Sequence, residues 1–302
     1  MDVYDLCIAT DWSCDKNFVQ CLEQIAQKQG LTTYVVYPYN VNETINLVQN
    51  DLLKFTIFYD RASDSSVQFV PLYNLLSDKK TTIFQRLSLQ QRASDKALMH
   101  ELFVRDNINT PKTIIVPEYF NHPVIDIDRY EFAKLGRPFI IKPSLNTGAG
   151  LGVYTDGFSI EYVMNKRQEF PDDKYLIQEK VIPKEIDNRS FWFRVFYVCG
   201  EVHTTWWDNY THRYEEISNE AIEKYRLNYL FSIMKKIYNI CRLNFFSTEF
   251  ALDTKGRFVA IDYVNEICDM RLQSEHYDGV PDELVQKISK NIVSYVVQKL
   301  NK

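Results

Sequence analysis

The chain has 302 residues, of which 45% are hydrophobic and 14% aromatic, and its formal net charge is -5 at pH 7. A single hydrophobic core rarely grows to this size, so we expect two or three packed lobes of an ordered globular protein. The acidic balance argues against a nucleic-acid-binding surface, which needs clustered lysine and arginine. No apolar stretch approaches the roughly 20 residues of a membrane helix, so we expect no membrane span.

The amino-terminal residues and the cysteines bear on the cellular compartment of the protein. The segment MDVYDLCIATDW carries acidic residues inside its apolar run and lacks the basic leader of a signal peptide. It predicts a first buried strand. The six cysteines show no paired CxxC spacing, which argues against a structural zinc site and is typical of reduced thiols. We therefore expect a cytoplasmic protein.

Apolar β-rich runs alternate with amphipathic runs through residues 1–90. The alternation predicts strands at 4–10, 32–37 and 55–60 and helices near 15–29 and 43–53. This pattern indicates a small α/β lobe.

A second unit, placed at residues 91–180, begins near Ser94, which is a good N-cap residue before apolar residues at helical spacing. A strand PKTIIV, a helix near 127–135 and a strand RPFIIKP then lead into the glycine-rich segment SLNTGAGLGVY. The buried strand KYLIQEKVI ends the unit. We therefore expect a sheet interrupted by a flexible loop.

A third unit occupies residues 181–302. The run SFWFRVFYVCGEVHTTWW predicts a long hairpin that turns near Gly200. A helix near 219–242 follows, and the strands FFSTEFALD and RFVAIDYV come next, joined by a turn at 254–256. An amphipathic helix near 283–300 closes the unit.

Lys142 ends the apolar run PFIIK directly before the glycine-rich loop. A buried ammonium group needs an anionic partner, and the glycines at 148, 150 and 152 would let successive backbone N–H groups wrap a phosphate. The loop lacks the GK[ST] ending and opens no helix, so it is neither a P-loop nor a Rossmann fingerprint. Taken alone, it fits an ordinary hairpin loop equally well.

Charged residues also interrupt the strands of the third unit. Arg194 shares a predicted strand face with Trp192, and its burial without an anionic partner would be costly. We interpret it as a phosphate or acyl-phosphate ligand, with a structural ion pair as the alternative. Glu249 and Asp262 lie in adjacent strands of the last hairpin, followed by Asn265. Two carboxylates and an amide oxygen suit magnesium.

Other polar residues have plain structural explanations beside the functional ones. Lys96 stands in the first turns of the predicted helix and could simply be solvated. The polar residues Gln178, Glu179 and Lys180 could read an adenine edge or mark an edge strand. Glu185 could accept ribose hydroxyls or be one of several loop charges.

Taken in order, these residues resemble the ATP-grasp superfamily over most of residues 94–266, and FSTEFALDTKGRFVAIDYVNE is the most specific match. The resemblance implies an ATP-grasp fold of mixed α+β and α/β class, in which two α+β subdomains clamp ATP beside a small amino-terminal α/β lobe. It also implies ATP and Mg²⁺ as cofactors. The residues that carry the resemblance are Lys96, Lys142, Asn146, Thr147, Gly148, Ala149, Gly150, Gly152, Gln178, Glu179, Lys180, Val181, Arg194, Glu249 and Asp262.

The resemblance assigns a nucleotide-binding role to most of these positions. Lys96 and Lys142 would hold the α- and β-phosphates, and the loop 146–152 would close over the γ-phosphate. The segment 178–181 would hold the adenine, and Glu185 would bind the ribose.

The resemblance assigns magnesium to Glu249 and Asp262. The family usually has an asparagine two positions after the second acid, whereas this chain has Val264 there and Asn265 one place further on. A β-bulge could restore the direction of Asn265, and Glu266 is the alternative ligand.

The activity implied by the resemblance is that of a carboxylate-amine ligase. Arg194 and Lys142 would stabilise the transferring phosphoryl group while a substrate carboxylate attacks it, and an amine or other nucleophile would then displace phosphate from the acyl phosphate. The expected partners are small-molecule or peptide carboxylates and amines, and a homodimer is one oligomeric state that the resemblance allows. An ATP-grasp kinase is the second candidate, and a non-catalytic nucleotide-binding module is the third.

The acceptor site is expected after the Arg194 strand, where aromatic residues would suit an apolar or peptide-like substrate. Arg271 could bind a second carboxylate. The candidates are His203, Trp206, Trp207, Tyr210 and Arg271.

Overall fold

The structure is a computed structural model that describes residues 1–145 and 148–301 of the chain. The helices are α1 (Lys16–Lys28), α2 (Val41–Gln49), α3 (Val70–Asp78), α4 (Leu87–Ser94), α5 (Lys96–Arg105), α6 (Arg129–Ala133), α7 (Ile160–Lys166), α8 (Asn219–Lys224), α9 (Asn228–Cys241) and α10 (Asp282–Leu300). The strands are β1 (Asp2–Thr10), β2 (Thr33–Val36), β3 (Leu53–Arg61), β4 (Thr82–Ile83), β5 (Thr113–Val116), β6 (Phe139–Pro143), β7 (Tyr154–Gly157), β8 (Tyr175–Glu179), β9 (Glu185–Ile186), β10 (Arg189–Ser190), β11 (Trp192–Val198), β12 (Glu201–Trp207), β13 (Tyr214–Glu216), β14 (Phe245–Leu252) and β15 (Phe258–Asn265). No described helix is long and apolar enough to cross a membrane.

The amino-terminal lobe is a parallel sheet in the order β2-β1-β3-β4, with the helices connecting its strands. Helix α1 buries one apolar stripe, formed by Phe18, Val19, Leu22 and Ala26, against this sheet and α10. The β/α alternation that the sequence predicts for this lobe is confirmed.

The central sheet is antiparallel in the order β5-β8-β6-β7. Its two faces follow from the alternation of side chains along each strand. Phe139, Ile141 and Ile177 face a small core under α6 and α7, while Lys142 and Gln178 lie on the opposite face. That opposite face looks toward α5 and the carboxyl-terminal sheet.

The carboxyl-terminal sheet is antiparallel in the order β13-β12-β11-β14-β15. Its central hairpin turns at Cys199 and Gly200, which have φ values of 52° and 108°, so the predicted turn near Gly200 is confirmed. A two-residue turn with positive φ at both positions matches the twist of the flanking strands. Apolar side chains on one face pack on α9, and those on the other pack on α1 and α10.

Helix boundaries depart from the sequence predictions in two places. Ser94 ends α4, and Asp95 is the N-cap of α5, because its side chain accepts a hydrogen bond from the backbone N–H of Leu98. The predicted helix at 219–242 is two helices, separated where Arg226 has a positive φ of 56°.

The proposed lobe boundary near residue 90 falls inside α4, and both α4 and α5 pack on the carboxyl-terminal sheet.

A buried arginine fixes the amino-terminal lobe to the carboxyl-terminal lobe. Arg61 Nε and Nη2 donate to the two carboxylate oxygens of Asp15 at 2.6 and 2.9 Å. Nη2 also donates to the Cys268 carbonyl at 2.9 Å, and Nη1 to the Tyr59 hydroxyl at 3.2 Å. Both charged side chains are completely buried. Since every guanidinium nitrogen has a partner, the pair can remain charged in the interior.

Candidate active site

Two lysines from facing elements lie beside one carboxylate. Lys96, the first residue of α5, places its Nζ 3.9 Å from Asp262 Oδ1. Lys142, on β6, is 6% exposed, and its Nζ donates to the Ile261 carbonyl at 3.2 Å. Burial lowers the pKa of Lys142 to about 8. Of these two lysines, Lys96 alone has a described carboxylate within 4.0 Å, so the Lys142 ammonium group is left for an anionic ligand.

A serine joins the segments that carry the two lysines. The Ser144 carbonyl accepts a hydrogen bond from the Lys96 backbone N–H at 3.1 Å. Its hydroxyl accepts from the Ala97 N–H at 2.8 Å and donates to Asp95 Oδ1 at 2.6 Å. We call this set of contacts the Ser144 junction. It fastens the end of β6 to the first turn of α5.

Arg194 and the two predicted metal ligands lie side by side on one face of the carboxyl-terminal sheet. Arg194 pairs with Glu249 across β11 and β14, and Glu249 pairs with Asp262 across β14 and β15. Arg194 Nη2 donates to Glu249 Oε1, and Trp192 Nε1 donates to Glu249 Oε2 at 3.3 Å. The plane of Trp207 lies under the guanidinium, with its centroid 4.9 Å from Cζ.

The charges of this face stabilise one another. Burial alone would lower the pKa of Arg194, but the adjacent Glu249 raises it above its ordinary value. Burial would likewise raise the pKa of Asp262, but Lys96, Lys142 and Arg194 together hold it below its ordinary value. Within the described residues, Arg194 Nε and Nη1 are buried and have no hydrogen-bond partner. An anion is the ligand that would satisfy both groups.

An irregularity in the last hairpin sets the direction of Asn265. Asn265 pairs with Ser247, and Asp262 pairs with Glu249, so three residues of β15 span the same length as two of β14. Ser247 and Glu249 share a face of β14, and their partners Asn265 and Asp262 therefore share that face too. The bulge that the sequence analysis raised as an alternative is present. Sequence spacing alone would have placed Asn265 on the opposite face.

Glu266, the alternative metal ligand, differs from Asn265 in its surroundings. Gln85 Nε2 donates to the Glu266 carbonyl at 2.7 Å, which fixes this position to the amino-terminal lobe. Burial, with Asp262 and Asp64 nearby, raises the pKa of Glu266 to about 7.

The donor set fits magnesium. No group of three or more His, Cys, Asp and Glu side chains that could hold a metal is found in the described part of the chain. Magnesium needs no such cage, because it is usually bound by one or two carboxylates plus substrate phosphates and water. Glu249 and Asp262, paired across the hairpin with Asn265 on the same face, supply that number of oxygen ligands.

The segment predicted to hold adenine follows β8. The Gln178 side chain is directed inward, where its Nε2 donates to Thr113 Oγ1 at 2.9 Å and to the Tyr263 hydroxyl at 2.7 Å. Glu179 Oε1 accepts from the Lys112 N–H at 2.9 Å. The side chains of Gln178 and Glu179 therefore already have partners. Lys180 and Val181 lie beyond the end of the strand, so main-chain groups here are better placed than side chains to meet a base.

Comparison with known proteins gives a structural answer only. No protein-family model and no curated protein matches the sequence. The ATP-grasp ligase PsnB, solved with a minimal precursor, Mg and ADP, has a TM-score of 0.66 and 12% identity, with 99% of each chain covered. A RimK-domain ATP-grasp protein from Sphaerobacter thermophilus has a TM-score of 0.65 and 15% identity, covering 97% of this chain and 99% of that one. This chain has the ATP-grasp fold.

Another ATP-grasp structure agrees at the same level. D-alanine–D-alanine ligase from Bacillus anthracis, solved with ATP, has a TM-score of 0.61 and 12% identity, with 97% of this chain and 95% of that one covered. The mixed α+β fold class predicted from the sequence is therefore confirmed.

The glycine-rich loop is partly described. Residues Gly148–Gly150 form a short 3-10 turn, and Ala149 lies within it, although its side chain is outside the described set, as are Asn146 and Thr147. Gly150 and Gly152 have φ values of 78° and 67°. A Cβ at Gly152 would lie 2.8 Å from the Phe170 ring. Position 152 therefore requires glycine for both its backbone conformation and its packing.

The predicted acceptor residues of the hairpin divide between its two faces. Trp206 pairs with Phe193 across the hairpin and packs on the α9 face, the opposite face from Arg194. Because side chains alternate along β12, Trp206 cannot line a site on the Arg194 face. Its neighbour Trp207 lies on the Arg194 face instead. Tyr210 is 84% exposed in the loop after β12.

The other acceptor candidates differ in their surroundings. His203 shares the Arg194 face, where it pairs with Phe196 across the hairpin. Burial lowers its pKa, and its Nε2 is buried with no hydrogen-bond partner among the described residues. Arg271 donates to Asp269 at 2.8 Å and to Asp278 at 2.9 Å, and the bond to Asp269 is the main contact that raises its pKa. Since two carboxylates already neutralise Arg271, it is a poor receptor for a third. Glu185 is exposed on β9, at the start of a two-stranded ribbon.

Proposed function

We propose that this protein is an ATP- and Mg²⁺-dependent ligase that activates a carboxylate as an acyl phosphate and joins it to an amine or another nucleophile, releasing ADP and phosphate. The observation that carries the proposal is the meeting of Lys96, Lys142 and Arg194 with Glu249 and Asp262 at one edge of the cleft. Cations for phosphates and paired oxygen ligands for magnesium lie together there.

The residues of the site have distinct tasks in this reaction. Lys96 and Lys142 would hold the phosphates of ATP, and burial of Lys142 strengthens its attraction for a phosphate by excluding water. Arg194 would bind the oxygens of the transferring phosphoryl group through its free nitrogens. Magnesium, held by Glu249, Asp262 and Asn265, would neutralise phosphate charge.

We propose the substrate class from the similar structures and from the ion pairs of Arg271. PsnB has been solved with the precursor peptide PsnA2, and MdnB from Microcystis aeruginosa is a macrocyclase, so peptide carboxylates lead the candidates. The neutralised Arg271 removes the expected receptor for a free substrate carboxylate, which also favours a side-chain carboxylate within a peptide over a free amino acid.

The test is magnesium-dependent ATP consumption in the presence of pooled peptides, carboxylates and amines, with mass spectrometry of nucleotide and product. We expect ADP, phosphate and a condensed product. Asp262→Asn should abolish turnover, because it removes a charged metal ligand while keeping the size of the side chain. Glu215→Gln, at an exposed acid of the same sheet, is the control and should behave as the wild type.

Two outcomes would contradict the proposal. ADP with a phosphorylated product and no condensation would identify a kinase. Unchanged turnover in Asp262→Asn would remove the metal assignment from this hairpin.

A further inference from the structure

A chain of buried polar side chains runs behind the candidate phosphate site. It begins at Thr113 on β5, passes through Gln178 on β8 and the Tyr263 hydroxyl on β15, and ends at His100 on α5. The three contacts measure 2.9, 2.7 and 2.7 Å. Two sheets and one helix therefore meet at a single hydroxyl group.

The chemistry of the donors fixes one of these directions. The Gln178 amide nitrogen can only donate, so the Tyr263 oxygen accepts from it. The Tyr263 hydroxyl has two further hydrogen-bonding neighbours, His100 Nδ1 at 2.7 Å and the Thr113 side chain. Burial, together with the Lys142 charge, lowers the pKa of His100 to about 4, so the imidazole bonded to this hydroxyl is neutral at pH 7.

Among these hydrogen-bonded side chains, the ring of Tyr263 is the part that reaches the candidate phosphate site. Its centroid lies 5.4 Å from Lys142 Nζ, within the range of a cation–π contact. The ring and the Ile261 carbonyl are the neighbours that locate this ammonium group, because no described carboxylate lies within 4.0 Å of it. The position of the Tyr263 ring consequently sets the position of the Lys142 charge.

We propose that His100 is a positioning residue for nucleotide binding: through its hydrogen bond to the Tyr263 hydroxyl, it holds the ring that places the Lys142 ammonium group. This inference rests on the proposed function, because it takes Lys142 to be a phosphate ligand. His100 itself does not touch the nucleotide. Without His100, the Tyr263 hydroxyl loses one of its hydrogen bonds in a dry environment, and the ring shifts.

The test is the affinity of Mg·ADP, measured by calorimetry, together with the thermal midpoint of each unliganded variant. His100→Phe keeps a ring but removes the nitrogen that hydrogen-bonds Tyr263, and the groove of about 300 Å³ that His100 lines gives the larger ring room. We expect about a tenfold loss of affinity. His100→Asn, whose amide oxygen takes the place of Nδ1, should restore most of it.

Two further variants separate positioning from stability. Met99→Ala opens a cavity in the same helix, where Met99 is completely buried, and it should lower the thermal midpoint without changing the affinity for Mg·ADP. In a Tyr263→Phe background the ring has no hydroxyl for His100 to hold, so adding His100→Phe should cost no further affinity.

The outcomes distinguish this inference from the proposed function. The positioning role is overturned if the wild type binds Mg·ADP and His100→Phe binds it with the same affinity. It is also overturned if His100→Phe loses no more affinity than Met99→Ala does. In both cases the ligase proposal stands. If the wild type binds no Mg·ADP, both fail together.

Discussion

Two buried arginines in this chain make opposite use of their charge. Arg61, between the amino-terminal lobe and the carboxyl-terminal lobe, has a partner for each nitrogen, including both oxygens of Asp15. Arg194, in the cleft, has Glu249 for one nitrogen and no described partner for the other two. The first arrangement is complete without a ligand, whereas the second leaves donors that an anion can satisfy.

The difference teaches how to distinguish a structural charge from a functional one. Both guanidinium groups are buried, and for both a carboxylate raises the pKa above its ordinary value despite that burial. Burial and pKa therefore do not separate them. The two arginines differ in the number of guanidinium nitrogens that lack a hydrogen-bond partner. A buried donor without a partner costs free energy, which a bound ligand can recover by accepting its hydrogen bond.

The largest effect is expected from Arg194→Ala. If the free nitrogens act on the transferring phosphoryl group, kcat should fall by about a thousandfold, while the affinity for Mg·ATP changes much less. Steady-state kinetics beside calorimetric binding would measure the two effects separately. Equal losses in kcat and in binding would assign Arg194 to ground-state binding and weaken the contrast with Arg61.

Asp15→Asn should act on stability instead. It leaves the Arg61 charge buried without its carboxylate, and the free energy of unfolding should fall by about 3 kcal/mol. Urea denaturation would measure this loss. The matched control is Asp51→Asn, which removes an exposed ion pair with Lys79 and should leave the denaturation midpoint unchanged. A midpoint for Asp15→Asn close to that of the control would show that Arg61 is not a structural charge.

A smaller effect is expected from Trp207→Leu. The indole ring supports the Arg194 guanidinium at 4.9 Å, and its loss should lower kcat about fivefold, in line with a cation–π contact of about 1 kcal/mol. Trp206→Leu is the matched control, because the same substitution on the other face meets the α9 core. It should lower the thermal midpoint and leave kcat intact. If Trp206→Leu lowered kcat and Trp207→Leu lowered only the thermal midpoint, the assignment of the two tryptophans to the faces of the sheet would be wrong.

The residues of the candidate site could be predicted from the sequence at positions where a charged side chain interrupts an apolar strand. Lys142, Arg194, Glu249 and Asp262 stand out in this way, and the structure brings all four to one cleft. Their assigned roles remain predictions. Asn265 was less accessible to sequence reasoning, because its direction depends on an extra residue in β15 that no local pattern announces.

Trp206 could have been placed correctly from the sequence. A two-residue turn at Cys199 and Gly200 fixes the pairing of the hairpin, which sets Arg194 opposite Thr205 and turns Trp206 to the other face. The contacts among His100, Gln178 and Tyr263 lay beyond such reasoning, since they join residues far apart in the chain. Only the packing of the two sheets against α5 brings them together.

The Ser144 junction couples the central sheet to α5 through the backbone. It ties the segment of Lys142 to the segment of Lys96 by three hydrogen bonds, so a displacement of β6 relative to α5 would have to break them. The spacing of the two segments that carry the ammonium groups is therefore fixed by main-chain contacts and does not depend on a bound anion.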